Sequence, residues 1–396
     1  MSGPLEGIRV LDFSRVLAGP YCSMILGDLG AEVIKVERPG TGDDTRKWGP
    51  PFINGESAYF ICANRNKKSI ILNLQTEKGI EIAKKLVEKS DVVIENFPPG
   101  TMEKFGIDYD TLKGINPGII YCSITGFGPD GPYKDKTGYD LVVSAMGGLM
   151  SITGEEDGNP VKVGVAITDV LTGVFAQGAI TTALFARERM KKGQRIDLSL
   201  LEVQVAALVN IGSSYLVGGV KPKRWGTAHE SIVPYQAFKA RDKHIIIAVG
   251  NDKIWANFCR VIGMPHLIDN PKFSTNPSRV KNRKELIGIL SEIVEKKDAA
   301  EWLELFESAS IPSGPINTVE EVFNDPQVLH REMLVEVDHP KAGKIKMAGI
   351  PVKYSETKAN IRSHPPLLGE HTDEILSRLL GLSDKEIEVL REENVI

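Results

Sequence analysis

One carboxylate is set apart by its surroundings. Val161 to Gly173 reads VKVGVAITDVLTG, a run of small and β-branched apolar residues interrupted by a single unpartnered acid, Asp169. Long apolar and small residues continue from Val170 to Arg187 without a proline, so the pattern predicts a strand or loop turning into a buried helix at Asp169. Two readings are open. Thr168 or Asp169 could cap that helix, a side-chain oxygen taking a free backbone N–H of the first turn. Alternatively, a carboxylate at the edge of an apolar, glycine-rich lining is partly desolvated and is therefore a better nucleophile than one in water. Position alone does not choose between them, because a helix N-terminus holds an anion in either role.

The elements that must position this acid begin at the N-terminal end. Ile8 to Phe13 reads as a buried strand, Tyr21 to Leu29 as a helix and Glu32 to Glu37 as a second strand, a βαβ start that predicts a parallel, doubly wound sheet. Further units follow: strands at Lys68 to Asn73, Val92 to Asn96 and Ile119 to Ile124, with a helix from Thr76 to Lys89 and short helices at Thr101 to Phe105 and Tyr109 to Ile115. Each strand ends in small, polar or charged residues: Ser14-Arg15, Arg38, Asn96-Phe97 and Thr125-Gly126. Open α/β sheets bind ligands at that edge. Glu37 lies where a dehydrogenase would hold a ribose, but the glycine fingerprint is missing, since SRVLAGP follows the first strand. Arg38 still suits a phosphorylated nucleotide.

Ile196 to Leu200 reads as another strand, followed by a long apolar helix through Leu216 and a linker from Gly218 to Trp225. Beyond it the pattern is α+β: strands at Tyr235 to Lys239 and His244 to Val249, then three helices up to Ser308. After Asp325 the chain runs back to a helical pair, Glu370 to Leu380 and Asp384 to Glu393. The expectation is a large Rossmann-like doubly wound domain over 1–217, a smaller α+β domain over 226–325, and a C-terminal return to the large domain over 326–396.

Composition narrows the function classes. The 396 residues are 42% hydrophobic and 25% charged, with a net charge of -4 and no basic face for nucleic acid. Cys22, Cys62, Cys122 and Cys259 lie far apart, without metal-ligand spacing, and read as free thiols of a reducing compartment. No window is read as approaching a membrane span, and no signal segment precedes the first strand. The expected location is cytoplasmic, or the mitochondrial matrix if a presequence has been removed. No metal and no permanently bound cofactor is expected.

Several segments together resemble the class III CoA-transferases, the CaiB/BaiF family: PLEGIRVLDFSRVLAGP, LGDLGAEVIKVERPGTGDDTR, YFICANRNKKSIILNL, VVIENFPPGTMEKFG, SITGFGPDGPY, AITDVLTG, SIPSGPINTVEEV and PPLLGEHTDEIL. The likeness runs from Leu5 to Val395. It implies that Asp169 attacks an acyl-CoA thioester, forming an aspartyl-acyl anhydride and then an aspartyl-CoA thioester. It implies that Val16, Ala18, Arg38, Leu72, Asn96, Phe97 and Lys104 line the path of the CoA nucleotide and pantetheine, with Tyr139 near the thioester. CoA and acyl-CoA are then substrates, the other partner is a carboxylic acid, and two subunits thread through each other as an interlocked homodimer.

GDDTRKWGPPF, NRNKKSI and KRWGTAHESIVPYQAFK resemble the dicarboxylate-using members, which implies succinyl-CoA as donor and glutarate or a similar C4 to C6 dicarboxylate as acceptor. The formyl-CoA transferase branch has a glycine-only loop over its intermediate; here Gly226 to Tyr235 reads GTAHESIVPY, and His229 and Ser231 are expected to reach the site. Arg46 or His229 is expected to hold the distal carboxylate. Two alternatives differ in class. An α-methylacyl-CoA racemase needs a histidine where this chain has Tyr139, whose unperturbed pKa of about 10 unfits it as a shuttling base at neutral pH. A silent CoA-binding protein would form no covalent adduct.

Overall fold

A computed structural model describes residues 3–396. The chain divides into two compact units, the first made of residues up to Leu149, Lys162–Gly218 and Pro326–Ile396, the second of Met150–Val161 and Gly219–Asp325. The short Met150–Val161 segment thus groups with the second unit, inside the span that reads as one large domain from sequence.

The first unit is built on a six-stranded sheet. Its spatial order is Lys67–Ile71, Glu32–Glu37, Arg9–Asp12, Val92–Glu95, Ile120–Thr125, Gln194–Ser199, and every neighbouring pair is parallel. In chain order this is 3-2-1-4-5-6, the doubly wound arrangement, so the direction of winding reverses between Arg9–Asp12 and Val92–Glu95. Alternate residues bury on opposite faces. Leu11, Ile34, Val93 and Tyr121 pack under the helices Glu77–Glu88, Thr372–Leu380 and Asp384–Glu392, whereas Val10, Val33, Val92 and Cys122 pack under Ala18–Asp28 and Ile167–Met190. Covering both faces is what makes parallel strands near-continuous apolar runs.

Two readings of the apolar helices are corrected. Ile167–Met190 spans 24 residues and is long and apolar enough to cross a membrane, contrary to the expectation that no window approaches one. Its buried face, with Thr172, Gly173, Ala176, Ile180 and Leu184, packs against the Ala18–Asp28 helix and the sheet instead. The helix expected to run unbroken to Leu216 is two, Leu200–Ala206 and Val209–Gly218, bent by 72°. Val209 at the break has φ +35°, a value that a β-branched residue rarely adopts.

The second unit has a three-stranded antiparallel sheet, Ser313–Pro315, His244–Ala248 and Tyr235–Lys239. Its core contains Trp255, Phe258, Phe273, Leu290, Trp302 and Phe306. Arg279 is fully buried there and spends its guanidinium on the carbonyls of Val233 (2.7 Å) and Phe273 (2.9 Å) and on Asp252 (2.8 Å).

Candidate functional site

At the switch point two strand ends are tied together. Asn96 follows Val92–Glu95; its Oδ1 accepts the N–H of Arg15 at 2.8 Å and its Nδ2 donates to the Arg15 carbonyl at 2.7 Å. That reciprocal pair holds the loop after Arg9–Asp12 against the loop after Val92–Glu95. Its next residue, Val16, has φ +70°, unfavourable for a β-branched side chain. The Val16 N–H faces both oxygens of Asp43 at 3.3 Å, and Asp43 is itself paired with Lys35 at 2.9 Å. A buried ion pair therefore fixes the strained turn.

Two cavities open on either side of this tie, sharing Arg15 and Phe97. One, of about 310 Å³, is lined by Phe13, Arg38, Leu72 and Phe105 among others. The other, of about 320 Å³, is lined by Val16, Ala18, Asn96, Tyr139 and Asp169. Arg15 lies over the Phe97 ring at 4.9 Å, and its guanidinium and that of Arg38 converge on Asp44 at 3.4 and 2.6 Å. Lys104 lines neither cavity and is exposed, one residue before Phe105.

Asp169 is the third residue of the Ile167–Met190 helix. Neither it nor Thr168 caps that helix: the N-cap position is Ala166, and Asp140 from the start of the Asp140–Met146 helix supplies the acceptor. Among the described residues, no hydrogen bond and no cation reaches the Asp169 carboxylate. Burial first and the neighbouring Asp140 charge second push its pKa up to about 7. Gly173, one turn further on, lets the Ala18–Asp28 helix come close: a Cβ there would lie 2.7 Å from the Ala18 carbonyl oxygen. Ala18 and Asp169 are thereby brought to the same cavity.

The remaining expected residues lie elsewhere. Arg46 binds Glu37 through Nε at 2.7 Å and Nη2 at 2.6 Å, donates to the Pro366 carbonyl and covers the Phe60 ring at 3.7 Å. Glu37, the acid at the dehydrogenase ribose position, is buried and fully engaged with Arg46, Ser69 and the Asp43 N–H. His229 and Ser231 belong to the second unit, where the His229 Nδ1 accepts the Ser231 N–H at 3.1 Å and its ring meets Tyr235 edge-on. Sequence reasoning missed Arg15, Asp140 and Tyr59; the Tyr59 hydroxyl is pushed up to about 12 by burial and then by the Asp169 charge. Only Arg15 carried a signal, as a cation at a strand's carboxyl end.

A doubly wound parallel sheet with paired cavities at its switch point defines an α/β architecture of the nucleotide-binding type. The sequence model of CoA-transferase family III matches residues 5–372, and the chain belongs to that family. Its activity is therefore that of a CoA-transferase, with CoA thioesters as substrates. Over 387 residues it is 52% identical to the succinyl-CoA:glutarate CoA-transferase of Mus musculus, covering 98% of this chain and 89% of that protein. The human protein of the same name is 51% identical over 393 residues, covering 99% and 90%. A crystal structure of a CaiB/BaiF family protein from Brucella suis, 43% identical, superposes with a TM-score of 0.86 over 96% of this chain and 100% of that one.

Proposed function

We propose that the chain transfers CoA from succinyl-CoA to glutarate with Asp169 as the nucleophile. The observation that carries this reading is a raised, unpaired carboxylate opening into the larger cavity at the switch point. The substrates rest on the names of the full-length relatives described above.

In the first step the Asp169 carboxylate attacks the thioester carbonyl, and the C–S bond breaks to give an aspartyl-succinyl anhydride and CoA thiolate. The thiolate then attacks the aspartyl carbonyl, releasing succinate and leaving CoA as a thioester on Asp169. A glutarate carboxylate attacks that carbonyl and expels the thiolate, which finally takes the glutaryl group and restores the Asp169 carboxylate. No proton moves in any exchange, so no general base is required. The N–H groups of Gly126 and Gly138 in the cavity lining are the candidates for holding the oxyanions.

The CoA nucleotide is assigned to the cavity of Arg38 and Leu72, with the exposed Lys104 offered as a contact for its phosphates, and pantetheine to that of Val16, Ala18, Asn96 and Tyr139, passing Phe97. Arg46 is left out of the acceptor's binding because Glu37 already holds it. An interlocked homodimer is part of the same proposal. It is supported by the apolar surface of the first unit, where Val209, Leu216 and Val217 are 72%, 81% and 86% exposed and Val174, Phe175 and Phe185 are also uncovered.

Intact-protein mass spectrometry with succinyl-CoA tests the chemistry. Wild type should gain a hydroxylamine-labile mass equal to CoA less water, and Asp169→Ala should not. Absence of any adduct on wild type with a panel of acyl-CoAs would remove Asp169 from its role.

A further inference from the structure

The start of the Ile167–Met190 helix is capped from outside. The Asp140 Oδ1 accepts the N–H of Thr168 at 2.9 Å and that of Asp169 at 3.3 Å. A helix ordinarily takes this acceptor from its own N-cap, but Ala166 has no side-chain oxygen. The Thr168 hydroxyl is committed elsewhere, donating to Gln204 Oε1 at 2.7 Å and lying 2.9 Å from the Ser144 hydroxyl. Asp169 is the one acid in that first turn, and its own carboxylate stands next to N–H groups already taken.

Resting on the reading of Asp169 as nucleophile, we infer that Asp140 is its positioning residue: by occupying the helix's free N–H groups it keeps Asp169 from capping its own helix and leaves both Asp169 oxygens open to the thioester. A carboxylate that turned back onto those N–H groups would be stabilised as an anion and would lose nucleophilicity. The Asp140 charge works in the same direction, raising the energy of the Asp169 anion beside it. As the anhydride forms, that charge departs on the CoA thiolate and the repulsion is relieved.

The other neighbours do not duplicate this role. Tyr59 faces Asp169 as an un-ionised hydroxyl. The charged groups of the shared cavity are Arg15, Asp44 and the Lys134-Asp135-Lys136 run, beside the Tyr139 hydroxyl. The Ala18–Asp28 helix meets this turn with Ala18 and Tyr21, and the Leu200–Ala206 helix with Leu200 and Gln204. Of all these, only Asp140 accepts the Asp169 N–H.

Asp140→Asn keeps an oxygen acceptor and removes the charge; Asp140→Ala removes both. Rates with succinyl-CoA across pH, adduct formation by intact mass and thermal melts are measured on the full chain. Expected for Asp140→Asn is a melt near wild type, with the acid limb of kcat/KM shifted from about pH 7 to lower pH by about one unit and a plateau about tenfold lower. Asp140→Ala should slow adduct formation by about 100-fold or more, because Asp169 then caps its own helix. Lower melting temperatures with an unmoved acid limb in both variants would overturn the inference and make Asp140 a structural cap only. No labile adduct on wild type would overturn the nucleophile reading and this inference together, whereas an adduct with an unmoved limb overturns this inference alone.

Discussion

Beneath the carboxyl ends of Arg9–Asp12 and Glu32–Glu37, Asp12 and Asp43 are buried among cations, whereas Asp169 and Asp140, which caps the Asp169 helix from outside, adjoin with no cation bonded to either among the described residues. In the first group Lys35 pairs with Asp43 at 2.9 Å and Lys67 lies 3.5 Å from Asp12, all four side chains at 0% exposure. Burial alone would raise Asp43, yet Lys35 and the Thr45 hydrogen bonds overcome it and hold the carboxyl at about 2. Burial raises Asp169 too, and there the neighbouring Asp140 charge adds to the effect. The same side chain is thus fixed as an anion at Asp43, where it holds the Val16 turn, and left basic at Asp169, the proposed nucleophile.

Replacing Asp169 by Asn tests the reactive half of this contrast most directly. Turnover should fall by a factor on the order of 10⁴ or more, read as initial rates of CoA exchange between succinate and glutarate. A variant that kept a tenth of the wild-type rate would place the nucleophile elsewhere.

Lys35→Met tests the structural half. It strands Asp43 and leaves Asp12 with one cation, so stability should drop by about 3–5 kcal/mol, measured as a lower urea midpoint. An unchanged midpoint would mean that the network is not what secures the turn.

The two halves also predict opposite responses to neutralisation. Folding raises the Asp169 pKa above its unfolded value, so the folded chain holds the proton more tightly and stability falls as pH rises from about 4 to 7. Asp169→Asn should therefore be more stable than wild type at pH 8 by roughly 1–3 kcal/mol, and the gain should vanish near pH 4. A loss at pH 8 would show that the carboxylate has a stabilising partner.

The smallest effect is expected from Gly173→Ala. The added methyl must push the Ala18–Asp28 helix back from the Ala18 carbonyl, parting Ala18 from Asp169 by a few tenths of an ångström. We expect kcat about tenfold lower together with a modestly lower melting temperature, since the methyl meets backbone that can yield only by shifting.

The course of the chain was largely legible. All six sheet strands and Asp169 itself stand out, because apolar alternation and an acid in an apolar run are local signals. Asn96 could be singled out because a polar residue at a strand's carboxyl end has few structural explanations. The break at Val209 was hidden, since VNIGSSYLVG continues the helix pattern and only a positive φ interrupts it. The engagement of Arg46 with Glu37 was equally hidden, because the bidentate pair depends on how the turn between them folds.

By itself, then, the sequence determined the alternation of strands and helices, the ligand edge of the sheet and the identity of the isolated acid, all of which follow from residue type and short-range period. Only the tertiary structure decided which groups that acid meets. Asp140 caps its helix from 29 residues away, and Asn96 reaches Arg15 across 81. A carboxylate's basicity is set by desolvation and by charges within a few ångströms, and those neighbours are brought together by folding rather than by order along the chain.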